Sequence, residues 1–511
     1  MRRVCLALPT NRACAGTITA LAEEAAHAAA HFDVEVHLLI LDTSDGSGGS
    51  DRPGTFGGSD RCGTSDGSDR SDTSVCSGTS DAAGAPEAAE GSGATPFARN
   101  AAAVAALAPA PRVVVHHLDE AWQRAFLERV IRRSGAPGPE LLFDLMLPGA
   151  VSYGACTNRV FLVAAALGCT SVHRRDSDGD YQLLDGRKVF PIDHELRALG
   201  RRAGDVAADA TAVTRNELDP AHGDRPVVLV GGSFIGELSV DVGGIRELDP
   251  AVYHDVVGLW APPVWSDEEK RELVEESFTG GGTEPFRADE TVLGPPDIRR
   301  VDMCNLGLDH RVYERLPLPP ATDTIGSDYF LLHVVLDAGL PGVVHNRHIV
   351  NYYTSERRTG PGFTAYQVRF AKFLLSMLYL HPVYGEMMAL GEDLLDERYE
   401  VRTAPVLDSV RRSADWDPAE NVRRLDVLDR SYRRLGGTYA DFADHLAPLR
   451  ERLLAEARAD AERFALLIDA WGALVAAAHA EPAAATAEPG AAAAAGAAAA
   501  AGAASETGAA G

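Results

Sequence analysis

Long apolar runs are missing from this chain: nowhere in its 511 residues is there an uninterrupted stretch able to span a bilayer. Two alanine-rich runs come nearest, and their small side chains give little drive to leave water. The start, Met1-Arg2-Arg3 ahead of apolar residues 4–9, imitates a signal peptide, but the run is too short and Thr10-Asn11-Arg12 ends it. Positive charge is short too. With 48 Lys and Arg against 74 Asp and Glu, the formal net charge is −26, which argues against wrapping a nucleic acid. Cysteine is sparse and scattered: seven residues, at 5, 14, 62, 76, 156, 169 and 304, with no C-x-x-C. That pattern speaks against a disulfide framework and a structural zinc site, and for a reduced compartment. Together these absences predict a soluble, cytoplasmic protein. What is present, 46% hydrophobic residues, is enough for the cores of one large or two ordinary domains.

The order of elements begins with a buried strand over residues 4–8, an Ala-rich helix over 16–32 and a second strand over 34–41. Strand, helix, strand implies a right-handed parallel unit, and ligands sit at the carboxyl ends of such strands. Pro9, Thr10, Asn11, Arg12 and Asp42 therefore share one edge. Residues 43–94 then change character to Gly, Ser, Asp and Thr, too poor in aliphatic side chains to fold, and are expected to be a disordered insertion. Their Ser-Asp repeats lack the regular spacing of a calcium loop. A third strand is predicted over 112–116 and an amphipathic helix over 120–133. His116, His117 and Asp119 resemble a ligand set, but adjacent strand residues point to opposite faces and do not share a site.

The centre of the chain is C-T-N-R-V-F-L-V-A-A-A-L-G-C-T-S-V-H-R-R-D-S-D-G-D, residues 156–180. Thr157 or Asn158 is expected to cap a helix that Gly168 ends, and a short strand over 170–173 delivers Asp176, Ser177 and Asp178 at its carboxyl edge. Alternating carboxylates there suit a hard divalent cation, Mg²⁺ or Mn²⁺, and the cation suits phosphate. A bare D-x-D says little, since Asp415-Trp416-Asp417 also fits. The ordered helix, glycine and strand before it set this copy apart.

Further strands are predicted over 189–192, 227–232 and 342–353, and helices over 195–202 and 329–338. A phosphate loop needs a helix opening immediately after it, and the alternating residues of the Gly-spaced stretch 231–244 suggest strands instead, so it reads as a sheet edge and turn rather than a phosphate cradle. Asp328 stands where a helix cap belongs, which is its structural reading. The last strand carries His345, His348 and Asn351, with Arg357 and Arg358 after it. From 361 to 480 the chain reads as all-helical; residues 363–379 are expected to pack on the α/β part rather than lie on a membrane surface. Residues 481–511 are an Ala/Gly tail, expected to be disordered.

P-T-N-R after the first strand, an aspartate after the second, T-N-R-x(8)-G-x(7)-D-S-D, C-N-L-G-L-D-H-R-V-Y-E-R-L-P and G-S-D-Y-F-L-L-H-V-V-L-D-A-G-L-P occur in that order. In this set the chain resembles the nucleotide-sugar glycosyltransferases of the GT-A fold, most closely family 2, over residues 3–46 and 97–355. The resemblance implies an α/β, Rossmann-like domain formed by 1–42 and 95–360, a mostly parallel sheet with helices on both faces. It implies a nucleotide-sugar donor held by Pro9, Thr10, Asn11, Arg12, Asp42, Asn158 and Arg159, the last two in swapped order. It implies that Asp176 and Asp178 hold Mn²⁺ or Mg²⁺ on the diphosphate, with His348, or in reserve His345, completing the metal site. Asp328 matches the catalytic base of inverting members, with Ser327 replacing the glutamate before it. His173-Arg174-Arg175 stands where the family has apolar residues, which implies a short strand or arginines that meet phosphate.

Sugar transfer requires a leaving diphosphate whose growing charge is neutralised and a base for the acceptor hydroxyl. Two other classes share parts of this pattern: a non-catalytic sugar-nucleotide-binding module, and a nucleotidyltransferase. The latter would carry a Gly-rich basic loop after the first strand, and Pro9-Thr10-Asn11-Arg12 has no glycine.

Overall fold

The computed structural model describes residues 1–44, 94–236, 242–277, 281–282, 284–351 and 360–481. Most of the insertion expected at 43–94, nearly all of the tail from 481, and Arg357 and Arg358 lie outside the described residues. In chain order the strands are β1 (Arg2–Thr10), β2 (Val34–Asp42), β3 (Val113–Leu118), β4 (Ser171–Arg175), β5 (Gly179–Tyr181), β6 (Leu183–Leu184), β7 (Arg187–Lys188) and β8 (Arg215–Asn216). They continue with β9 (Leu229–Gly231), β10 (Phe234–Gly236), β11 (Thr291–Gly294), β12 (Asn305–Asp309), β13 (Gly342–His345) and β14 (Ile349–Asn351).

Nine of these form one sheet in the order β3-β2-β1-β4-β12-β9-β13-β11-β8. β1 is parallel to β2 and β4, β2 to β3, β13 to β9 and β8 to β11, while β12 runs against β4 and β9, and β11 against β13. The sheet is therefore mostly parallel. Its first strand shows why: V-C-L-A-L is apolar throughout and fully buried, because parallel strands are covered on both faces. Val4, Leu6 and Leu8 face a core shared with helix Ala15–His31, whereas Cys5 and Ala7 face the core that holds helices Glu120–Ser134 and Tyr153–Ala166. From β1 the chain steps outward to β2 and β3, then returns to lay β4 on the other side of β1. That reversal opens a crevice beyond the carboxyl ends of β1 and β4.

Several local expectations shift. Helix Tyr153–Ala166 starts four residues before Thr157: Ser152 is its cap, accepting from the Ala155 N–H at 3.1 Å. Gly168 does follow its end, with φ +71°. β4 runs on to Arg175, so both arginines lie inside the strand. The strand expected over 189–192 is absent, and Ile192 instead opens a short helix to Ala198. The single strand expected over 342–353 is two, β13 in the main sheet and β14 in a small sheet with β10 and β5.

Beyond residue 360 the described chain is helical: Gly360–Leu390, which continues through Pro382, then Thr403–Ser413, Ala419–Leu435, Gly437–Leu446 and Arg450–His479. This region shares the sheet's core. Phe464, Trp471 and Leu474 pack with Phe161, Tyr313 and Leu331, and the Trp471 Nε1–H donates to the Tyr313 carbonyl at 2.8 Å. Among the described residues no helix is long and apolar enough to cross a membrane.

Candidate functional site

The loop after β1 is built by its own polar groups. The Thr10 hydroxyl donates to the Arg12 carbonyl at 3.0 Å and accepts from the Arg12 N–H at 3.2 Å, folding the chain sharply. Asn100, fully buried on helix Pro96–Ala105, donates from Nδ2 to the Arg12 carbonyl at 2.8 Å and to Asp42 Oδ2 at 2.9 Å. Its Oδ1 accepts from the Cys14 N–H at 2.8 Å. This turns Asn11 outward, leaves Arg12 partly exposed, and sets both at the crevice between β1 and β4.

Asp42 lies beneath this loop with no exposed surface. Its two oxygens accept from His117 Nε2 at 3.0 Å, Asn100 Nδ2 at 2.9 Å, the Ser44 N–H at 2.9 Å and the Ser44 hydroxyl at 2.5 Å. Burial alone would push its carboxyl up; the bonds from His117, Ser44 and Asn100 outweigh it and hold it below the ordinary value. Its lone-pair positions are thus filled from within the chain, and it supports the loop from below.

Asn158 and Arg159 are also turned inward. The Asn158 side chain donates to the Leu318 carbonyl at 2.9 Å and accepts from the Leu318 N–H at 2.8 Å, as a backbone partner would. Arg159 donates to Gln123 Oε1 at 2.9 Å and to the Met146 carbonyl at 2.6 Å. Both lie in the middle of a helix that is buried almost all round, so their polar groups close on the chain.

β4 carries the D-S-D segment to the same edge. Arg12 Nη1 approaches Asp178 Oδ2 to 3.6 Å, and Arg174 Nη2 meets Asp176 Oδ1 at 2.9 Å. Two carboxylates and two guanidiniums thus share the mouth of the crevice. Asp176 is about a third exposed, with a side-chain value of 32%. Among the described residues no three His, Cys, Asp or Glu side chains gather closely enough to enclose a metal ion. Two accessible carboxylates nevertheless match the donor set of Mg²⁺ or Mn²⁺, which take one or two carboxylates and complete their shells with water and substrate phosphate.

Among the described residues neither His348 nor His345 gathers closely with Asp176 and Asp178. His348 lies in the turn between β13 and β14, and its Nδ1 accepts from the Ser233 N–H at 3.0 Å. Burial lowers its ring to about 4, so it is neutral, with its one proton on Nε2. The ring is thus engaged by the Ser233 backbone. His345 is buried in β13 beside the His194 ring at 5.5 Å, with neither nitrogen hydrogen-bonded.

Asp328 falls in the short turn Ser327–Tyr329 that precedes helix Phe330–Asp337, and the cap position of that helix is Tyr329 rather than Asp328. Gly326 enters this turn with φ +69°, and a Cβ there would stand 2.6 Å from the Phe373 ring. Only glycine satisfies both conditions. Lys372, beside Phe373, donates to the Thr322 carbonyl at 2.7 Å and pairs with Asp460 at 2.9 Å. The C-terminal helices thereby grip the segment that leads into Asp328.

Beneath the edge lies a network absent from the sequence reading. Arg175, 2% exposed at its side chain, meets Glu24 Oε1 at 2.8 Å and Glu195 Oε1 at 3.1 Å. Tyr181 donates to Glu24, and His173 Nδ1 donates to Glu195 Oε2 at 2.6 Å. Burial would push the Glu195 carboxyl up, but Arg175 and His173 hold it at about 2. Ser171, His173 and Glu195 line up as a hydrolase triad does, yet the hydroxyl is 2% exposed and no substrate reaches it. Arg175 therefore anchors the D-S-D strand to helix Ala15–His31, and does not face phosphate.

The chain belongs to a family of unknown function, DUF6271, whose model matches residues 2–52 and 89–487. The match takes in both the sheet and the helical region. No curated protein matches the chain.

Proposed function

We propose that this protein is a cytoplasmic, metal-dependent glycosyltransferase that moves a sugar from a nucleotide-diphosphate donor to a hydroxyl acceptor, with inversion and with Asp328 as base. The observation that carries the reading is the approach of Arg12 to Asp178 at 3.6 Å. It joins the P-T-N-R loop and the D-S-D edge, the two parts of the resemblance that would meet the donor, at the crevice where open α/β sheets bind nucleotides.

In this reading Pro9 to Arg12 receive the nucleotide, while Asp42, Asn158 and Arg159 hold the walls. Asp176 and Asp178 hold Mn²⁺ or Mg²⁺, which when bound neutralises charge on the diphosphate. Arg12 and Arg174 add fixed positive charge beside it, where the leaving oxygen gains its electron pair. The acceptor oxygen bonds to the anomeric carbon, the carbon–phosphate-oxygen bond breaks, and the acceptor proton passes to the Asp328 carboxylate. A positioned base contributes about 10²–10⁴ in rate.

Incubating the full chain with nucleotide sugars, with and without Mn²⁺, tests this directly. Metal-dependent thermal stabilisation together with release of the nucleoside diphosphate is the expected result. Stabilisation without turnover would assign a sugar-nucleotide-binding module, and release of inorganic pyrophosphate from a nucleoside triphosphate and a sugar phosphate would assign a nucleotidyltransferase.

A further inference from the structure

We infer that Asp302 is a positioning residue: through the hydroxyl of Tyr329 it fixes the turn Ser327–Tyr329, and with it the backbone of Asp328, against the edge that carries Asp176 and Asp178. Its catalytic consequence rests on the reading of Asp328 as base, whereas the geometry stands without that reading.

Asp302 reaches the edge through β12. Asn305 pairs with Arg175 across the antiparallel β12–β4 ladder, so the chain before Asn305 and the chain after Arg175 leave the sheet side by side. Cys304 and Asp302 lie on the first, Asp176 and Asp178 on the second. The Cys304 thiol is buried, which pushes it well up, and the charges of Asp302 and Asp176 push it the same way. Asp302 is itself held at three points. Its N–H donates to the Gly232 carbonyl at 2.9 Å, and its own carbonyl accepts from the Asn305 N–H at 2.9 Å. Its Oδ1 accepts from the Cys304 N–H at 2.9 Å.

The remaining oxygen, Oδ2, accepts from the Tyr329 hydroxyl at 2.5 Å, a short charge-assisted bond between residues 27 apart in the chain. Tyr329 is the last residue of the turn and the cap position of helix Phe330–Asp337. Lys372 and Phe373 hold the turn's approach from the helical region, as described above, and Asp302 holds its exit from the sheet. A base works only within hydrogen-bond reach of the proton it takes, so a turn fixed at both ends has a direct catalytic use.

The test compares the full chain with Tyr329→Phe, Asp302→Ala, Asp302→Asn and the Tyr329→Phe/Asp302→Ala double variant. Hydrogen exchange of the amides over 324–331 is read alongside sugar transfer. Tyr329→Phe and Asp302→Ala are each expected to speed exchange in the turn about tenfold, and the double variant no further, because both remove the same bond. Asp302→Asn keeps an acceptor and is expected to stay within about twofold of the parent. In transfer, Tyr329→Phe should lower kcat about tenfold with KM for the donor unchanged, since that change leaves the charge of Asp302 in place. Unchanged exchange in Tyr329→Phe, or losses in the double variant that multiply, would overturn the inference. Asp302→Ala also loses the bond from Cys304, so Tyr329→Phe and Asp302→Asn decide the matter if that variant fails to fold. A parent that transfers no sugar would sink the glycosyltransferase reading, while exchange still decides the positioning role. Faster exchange with undiminished kcat would remove the turn from catalysis.

Discussion

Arg175 grips Glu24 with two nitrogens, Nε to Oε2 at 3.2 Å and Nη2 to Oε1 at 2.8 Å, across 151 residues of chain. Both side chains are buried, and the pair ties the strand ending in D-S-D to the helix that follows the P-T-N-R loop. Removing one partner leaves a buried charge without its counterpart, which costs about 3–5 kcal/mol. Glu24→Ala is therefore expected to lower the denaturation midpoint sharply, as read by urea unfolding. A variant as stable as the parent would show that Glu195 alone satisfies Arg175.

Glu195 gives the same network a pH signature. Its folded value, about 2, lies below the ordinary 4.5, so the stability it contributes is present above about 4.5 and is lost as pH falls towards 2. Glu195→Gln should remove that part of the acid sensitivity while lowering stability at neutral pH. Parallel acid-unfolding curves for the two proteins would refute this.

Asp337 has the opposite sign. Burial raises its carboxyl to about 7 from the ordinary 3.8, and Oδ2 has no hydrogen-bond partner. A folded value above the unfolded one means that stability falls as pH rises through that interval. Asp337→Asn should stabilise the fold at pH 8 by about 1 kcal/mol once partial solvation is allowed for, read as a higher melting midpoint, and change little at pH 4. No gain at pH 8 would indicate that water satisfies the charged form.

Asn158 separates a structural role from a binding role. Losing both bonds to Leu318 leaves buried backbone groups unpaired, so Asn158→Ala should cost about 1–3 kcal/mol, measured by chemical denaturation. Affinity for a nucleoside diphosphate should stay unchanged. A fall in affinity without a fall in stability would restore Asn158 to the donor pocket.

Asp178 tests the edge itself. It is partly exposed and lies 3.6 Å from Arg12 Nη1, so Asp178→Ala should keep a cooperative melt. Stabilisation by a nucleoside diphosphate should lose its dependence on Mn²⁺. Retained dependence would place the cation elsewhere.

Much of this protein followed from local pattern. Apolar runs and breaks of period located β1, β2, helix Ala15–His31 and the helical region, because such elements are selected by neighbours within a few residues. The shared edge of residues 9–12 and Asp42 also followed, since a strand–helix–strand unit has one favoured hand. Tertiary structure decided the rest, because the partners are far apart in sequence. No local rule pairs Arg175 with Glu24, Asn100 with Asp42 or Asn158 with Leu318, and each pairing ties distant segments into the frame. The turn at Asn346 sent His345 and His348 into different surroundings, and the Ser233 backbone engages the His348 ring. The packing of Phe373 on Gly326 likewise joins the helical region to the turn of Asp328, a contact that exists only once both segments have folded onto the same core.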